Sequence, residues 1–293
     1  MEQIEAAERN FRGRILEQEP ASHKTAAIGD GHITVPHCPV AALTLPGGVY
    51  NGLFYQTDAT GVSAIKETTS GFLRNCVIRS NGRYSARLAC AGRFYSISGT
   101  FNADGDGTAV VSRSNAGLPN LKVVLHLDSA FGKGHLTGFV SNMDAADPWL
   151  APLTASRAAN TFAPTTMSLF LSPPPAEQAA GAPDLGGCQL TVAANGVISL
   201  VGQLADGTPI SQAVPIAGDG SFPVYISLYH EAGLLAGWIN LAGGVPDGSL
   251  TWVRPVWISA IGEWESRSQI WLSYSLRFIT QPDLPSASLP LRQ

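Results

Sequence analysis

From Gly47 to about residue 280, apolar and polar residues alternate with a period of two, the period at which strand side chains change face. Tyr84, Ala86, Leu88 and Cys90 fall on one face, with Ser85, Arg87 and Ala89 on the other; Tyr95, Ile97, Gly99 and Phe101 then alternate with Phe94, Ser96, Ser98 and Thr100. The pattern predicts antiparallel strands. Asn81-Gly82 and Asn195-Gly196 predict hairpins through type I′ turns, whose two central residues need positive φ. Asp206-Gly207, Asp219-Gly220 and Asp247-Gly248 punctuate the second half similarly. Strands of roughly 7 to 11 residues between such turns leave no room for crossover helices. The predicted fold class is therefore all-β: an antiparallel meander in two related halves, barrel-like or one closed sheet, plus one N-terminal helix.

The helix is expected over residues 2 to 18. Ile4, Ala7, Phe11 and Ile15 recur at helical spacing, Glu2, Glu5 and Glu8 precede Arg9, Arg12 and Arg14 as the helix dipole favours, and Pro20 ends it. Such a helix packs on the β body or joins copies of the chain into a homo-oligomer through its apolar stripe. Residues 20 to 46 show no sustained period and read as an arm. The expected organisation is 1–46 helix and arm, 47–158 first β half, 159–280 second β half, and 281–293 tail.

The halves answer each other. Asn81-Gly82-Arg83-Tyr84-Ser85 matches Asn195-Gly196-Val197-Ile198-Ser199, Ala91-Gly92 matches Asp206-Gly207, and Leu136-Thr137-Gly138-Phe139-Val140 matches Leu235-Ala236-Gly237-Trp238-Ile239. Three matches in one order indicate domain duplication rather than a solenoid. Ser172-Pro173-Pro174-Pro175 and Ala179-Ala180-Gly181-Ala182-Pro183 read as a surface excursion, because consecutive prolines cannot donate to a ladder.

Composition narrows the classes. The 293 residues suit one large or two modest domains, and 45% hydrophobic against 14% charged residues, with 31 Gly and 20 Pro, describe a turn-rich folded chain. Eighteen basic residues against 22 acidic give a net charge of −4, which argues against nucleic acid as a partner. No run reaches the roughly 18 to 20 apolar residues of a membrane-spanning helix. Cys38, Cys76, Cys90 and Cys188 show no Cys-x-x-Cys spacing; they read as buried thiols, with two bridges as the alternative, and a hairpin centred on Asn81-Gly82 sets Cys76 opposite residues near 86 or 87 rather than Cys90.

The order Gly48 to Phe54, Ser70-Gly71-Phe72, Asn81 to Ser85, Tyr95 to Phe101, Leu136-Thr137-Gly138, Gly202 to Thr208, Tyr225 to Tyr229 and Leu250-Thr251-Trp252 resembles an uncharacterised duplicated all-β module. That module occurs in large surface or exported proteins of environmental bacteria, often beside immunoglobulin-like domains. The resemblance spans roughly residues 47 to 255 and implies an extracellular or cell-surface, modular and non-catalytic context, with no catalytic residues to carry over. The acidic start Met1-Glu2-Gln3-Ile4-Glu5 lacks the basic and apolar regions of a secretory signal, so a cytoplasmic location stays open beside that of a longer exported protein.

Candidate chemistry is sparse. Asn102-Ala103-Asp104-Gly105-Asp106-Gly107 matches the start of a calcium loop, but the twelfth position is Arg113 rather than a bidentate Glu. A hairpin turn is the first reading of Asn102, Asp104 and Asp106, with Ca2+ as the alternative and no other cofactor implied. His32, His37 and Cys38 share the arm without a defined ligand face, and His126 and His230 read as rim histidines of equivalent strands. Glycoside hydrolysis needs two carboxylates about 5 to 9 Å apart; Glu231, Glu263, Glu265 and Asp128 lie near strand ends without converging. Nucleophile elbow, phosphate loop and dinucleotide fingerprint are missing from the sequence.

Trp238, Trp252, Trp257, Trp264 and Trp271 crowd the last quarter of the chain. Strand aromatics belong first to cores and cross-strand pairs, yet Trp257 and Trp264 in the turn-rich stretch 255–268, with Trp271 and with Glu263 and Glu265 beside them, offer a glycan platform. Function therefore reads as a non-catalytic structural or adhesive module whose partner is a glycan or a neighbouring surface protein. The alternatives are a carbohydrate-binding module or glycan hydrolase using the C-terminal aromatics, and a self-assembling structural subunit.

Overall fold

The computed structural model describes residues 47–58, 63–128, 135–144, 146–172, 186–258 and 268–279. The expected helix, the arm, the proline-rich excursion, the tail and all but the ends of the stretch 255–268 lie outside them. The chain forms β1 (Gly48–Phe54), a short ribbon of β2 (Gln56–Thr57) and β3 (Ser63–Ala64), then β4 (Gly71–Ile78), β5 (Arg83–Cys90), β6 (Arg93–Thr100), β7 (Asp106–Val111), β8 (Leu121–Leu127), β9 (His135–Asn142) and β10 (Leu150–Arg157). It continues through β11 (Thr165–Ser172), β12 (Gly186–Val192), β13 (Val197–Gln203), β14 (Pro209–Pro215), β15 (Ser221–Leu228), β16 (Gly233–Asn240), β17 (Asp247–Ile258) and β18 (Ser268–Ile279).

The fold is all-β and antiparallel. One eight-stranded sheet runs β6-β5-β4-β1-β10-β9-β8-β7 and the other β14-β13-β12-β11-β18-β17-β16-β15. In both, the first long strand pairs with the last: Gly52 on β1 faces Ala155 on β10, and Leu171 on β11 faces Phe278 on β18. Each sheet thereby curls into a nearly closed barrel, open between its fourth and fifth strands.

Side chains bridge both openings. At β6/β7 the Tyr84 hydroxyl donates to the Thr108 carbonyl at 2.9 Å, and its ring lies 4.9 Å from that of Phe101. Gly99 makes room, because a Cβ there would stand 2.6 Å from the Tyr84 oxygen. At β14/β15, Pro209, Pro215 and Pro223 have no N–H to give. The Gln212 amide stands in for the ladder, donating to the Pro223 carbonyl at 3.0 Å and accepting from the Tyr225 N–H at 2.7 Å.

The expected alternation holds on β5 and β6, where Tyr84, Ala86, Leu88, Cys90, Ile97 and Phe101 are buried and Ser85, Arg87, Phe94, Ser96, Ser98 and Thr100 exposed. Ala89 is buried as well, because the outer face of the first sheet is partly covered. Leu53, Ile65, Phe72 and Ala89 belong to the same apolar cluster as the core of the second sheet. Phe72 stacks on Tyr225 at 6.1 Å, Gly92 packs against Glu231, and Arg93 pairs with Glu231 at 3.3 Å.

Several local expectations are corrected. Asn81 and Asn195 do not have positive φ. Gly82 donates to the Arg79 carbonyl and Arg79 to that of Arg83, both at 2.9 Å, so the loop is a type I turn closed by a left-handed glycine, φ 78°. The Asn side chain contributes by accepting the Arg83 N–H at 3.1 Å. The same bonding recurs around Gly105, Gly196, Gly207 and Gly220. A turn with both central residues at positive φ occurs instead at Ala91-Gly92, φ 50° and 70°. Asp247-Gly248 opens β17, paired with Asn240 and Ile239, and the turn before it bonds Gly244 to Leu241.

The third sequence match joins unlike places: Leu136–Val140 lies on the seventh strand of the first barrel, β9, and Leu235–Ile239 on the sixth of the second, β16. What these segments share is local. A Cβ on Gly138 would meet the Val124 carbonyl oxygen at 2.0 Å, and one on Gly237 that of Ser249 at 2.2 Å. For the same reason His126 and His230 are not equivalent; His126 is on β8, whereas His230 sits in the turn between β15 and β16.

Candidate functional site

The second barrel carries a polar chain at one end. Asp206 comes from the β13–β14 turn, Tyr229 from the β15–β16 turn and Trp252 from β17. The Trp252 indole, 1% exposed, donates to the Tyr229 hydroxyl at 3.0 Å, and that hydroxyl donates to Asp206 Oδ2 at 2.5 Å. Asp206 also accepts the Thr208 N–H at 2.9 Å, and the Arg254 guanidinium lies 5.6 Å from the Trp252 ring. Burial pushes the Asp206 carboxyl up, but bonds from Tyr229 and Thr208 and the charge of Arg254 outweigh it and hold the group below the usual carboxylate range. Burial, and then the bond to Asp206, lift the Tyr229 hydroxyl to about 12. Ionised Asp206 and protonated Tyr229 thus form a fixed hydrogen-bonded anchor at neutral pH.

The anchor requires an unusual backbone. Tyr229, His230 and Glu231 are three consecutive non-glycine residues at positive φ, 52°, 54° and 72°. No glycine or Asn-Gly pair marks this turn in the sequence.

The expected site residues fare differently. Asn102 and Asp104 lie in the β6–β7 turn and Asp106 opens β7; Asn102 Oδ1 accepts the N–H groups of Asp104 at 3.0 Å and Asp106 at 2.8 Å. Asp106 Oδ1 lies 2.8 Å from His126 Nδ1. The side-chain oxygens of Asn102 and Asp106 therefore serve the turn and one histidine, and no group of three or more His, Cys, Asp or Glu gathers to hold a metal among the described residues. Trp257, expected in a turn-rich stretch, lies instead on β17 opposite Gln269, and Trp271 lies on β18 opposite Pro255. Glu263, Trp264 and Glu265 lie outside the described residues, as do His32, His37 and Cys38. Trp252 is core and Trp238 half-buried.

Of the carboxylates, Glu231 is engaged with Arg93. Glu67, which the sequence reading passed over, lies in the connection before β4; burial and then the charge of Glu231 raise its carboxyl. Cys76, Cys90 and Cys188 are free and buried. Burial pushes the Cys76 thiol up to about 12 and those of Cys90 and Cys188 to about 11, so none is a thiolate nucleophile near neutrality.

An open cleft of about 340 Å³ lies on the outer face of the first barrel, lined by Asn75, Ser85, Ala86, Arg87, Ser96, Ile97 and Ser98. It rests on a bulge in β4: the register passes from Arg74↔Arg87 to Val77↔Ser85, and Asn75 takes φ 49°. Asn51 on β1, 2% exposed, supports the bulge by accepting the Asn75 N–H at 2.9 Å. The alternation of β5 and β6 identified which side chains face outward here, but the bulge that opens the cleft carries no sequence signal. Comparison with family models, with curated proteins and with solved structures finds no match to this chain.

Proposed function

We propose that the chain is a non-catalytic structural or adhesive module of a bacterial surface or exported assembly. The observation that carries this reading is the use of its strongest polar groups. Asp206, Tyr229 and Trp252 tie three loops or strands of one barrel together, and Glu231 with Arg93 ties the two barrels to each other. Groups locked into such bonds stiffen a body and are poor proton carriers. The common strand order of the two sheets and their recurring glycine turns support an origin by duplication. A pair of packed barrels suits a spacer or display unit in a modular surface protein.

The test is to incubate the whole purified chain with a panel of neutral and acidic polysaccharides, following both retention and new reducing ends. Retention or inertness without product is expected. Reproducible turnover that scales with protein concentration would overturn the non-catalytic reading.

A further inference from the structure

Between Thr68 and Ala103 the chain has five arginines, Arg74, Arg79, Arg83, Arg87 and Arg93, and no Asp or Glu, although its overall net charge is −4. The fold turns this local excess into a surface. Arg74 stands directly across from Arg87, and Arg87 across from Ser96; the next row sets Val77, Ser85 and Ser98 side by side, and Arg83 pairs with Thr100 at the end of β5. Directly paired residues project from the same face of a sheet. The inward neighbours Leu73 and Leu88 lie in the barrel core, so the arginines and hydroxyls point outward.

Like charges in a directly opposed pair repel. Neither Arg74 nor Arg87 has a carboxylate partner among the described residues. Arg87 lies instead 5.1 Å from the ring of Phe94, itself 45% exposed, which holds the guanidinium beside the cleft. Here, then, are two guanidinium groups uncompensated among the described residues, a row of serine hydroxyls and an exposed aromatic ring around an open cleft. An anion bridging Arg74 and Arg87 would remove the repulsion, and guanidinium forks match carboxylate geometry.

We propose that the outer face of β4, β5 and β6 binds an acidic oligosaccharide, a chain of sugars bearing carboxylates. Arg83 and Arg87 are four residues apart on one strand, about 13 Å, so one small anion cannot serve both, whereas an oligomer can. The serines and Thr100 offer donors and acceptors for sugar hydroxyls. Nucleic acid fits less well, because single strands stack successive bases on open aromatic platforms, and the exposed ring of this face, Phe94, is already taken by Arg87. The proposal deepens the non-catalytic reading and rests on it by supplying the ligand such a module would hold.

The test is calorimetric titration of the whole chain with hexagalacturonate, with cellohexaose as the neutral control, and with a single-stranded oligoadenylate of equal charge. Hexagalacturonate is expected to bind and to weaken as salt rises, with both other probes weaker. Arg74→Gln and Arg87→Gln are each expected to weaken binding by about tenfold or more, and Arg87→Lys, which keeps charge but loses the fork, to weaken it less than Arg87→Gln. Both positions are on the outer face, and a thermal unfolding midpoint at or above that of the parent checks that the variants remain folded. Absence of binding, equal binding of cellohexaose, tighter binding of oligoadenylate, or full affinity in the Gln variants would each overturn the site. Shortening of hexagalacturonate during titration, read by mass spectrometry, would instead overturn the non-catalytic reading and leave the site standing.

Discussion

Arg74 and Arg87 face each other across the β4–β5 ladder, and no carboxylate stands between them among the described residues. Such a pair costs the free protein stability. Arg87→Gln is therefore expected to raise it by about 0.2–1 kcal/mol at low ionic strength, and the gain should shrink once salt screens the repulsion. Urea unfolding of both chains at low and high salt checks this. A variant that is less stable than the parent at low salt would mean that the contact of Arg87 with the Phe94 ring outweighs the repulsion from Arg74.

The contact between the barrels depends on a backbone position. Gly92 has φ 70°, and a Cβ on it would stand 2.5 Å from Glu231 Cβ. Gly92→Ala is expected to destabilise by about 1–3 kcal/mol, visible as a lower urea midpoint. An unchanged midpoint would show that the two turns do not meet as described.

The anchor of the second barrel predicts a mutational cost and a pH dependence. Tyr229→Phe leaves the buried Trp252 indole and the Asp206 oxygen without their shared partner, a loss of about 1–3 kcal/mol measurable by thermal or urea unfolding. Asp206 has a lowered carboxyl pKa, so the stability it contributes is fully present above its unfolded value of about 3.9 and is lost as pH falls through the lower folded value. The stability difference between the parent and Asp206→Asn should stay flat from neutrality to about pH 4 and close below it. A difference that grows in acid would reverse the assignment.

Burial makes the thiols of Cys76, Cys90 and Cys188 inert. In a Cys38→Ser chain at pH 8, a thiol reagent should react only as fast as the protein opens and should count all three thiols at once in urea. A thiol that reacts in the native chain at the rate of a free cysteine would contradict the burial described.

Much of the fold was legible because a strand's two faces are written directly in alternate residues, as on β5 and β6. The turns were legible as positions, since Asn-Gly and Asp-Gly favour reversal, but their type depends on whether Gly is the second or the closing residue of the loop. Barrel closure was not legible. The pairing of β1 with β10 joins residues about a hundred positions apart, and alternation says nothing about partners. The matched segments around Gly138 and Gly237 misled because close strand approach selects the same local sequence at unequal positions. Of the candidate site, the outward direction of Arg87, Ser96 and Ser98 could be read; the opposition of Arg74 could not, because it depends on the register set by the bulge at Asn75. The turn at Tyr229, His230 and Glu231 was invisible because none of those residue types signals positive φ.

The most direct test of the account is hydrogen exchange of the whole chain with and without hexagalacturonate, read peptide by peptide. The account predicts slowed exchange confined to peptides of β4, β5 and β6, with no fragments of the oligosaccharide released. Protection centred on β17 and β18, or no protection at a saturating concentration, would contradict it.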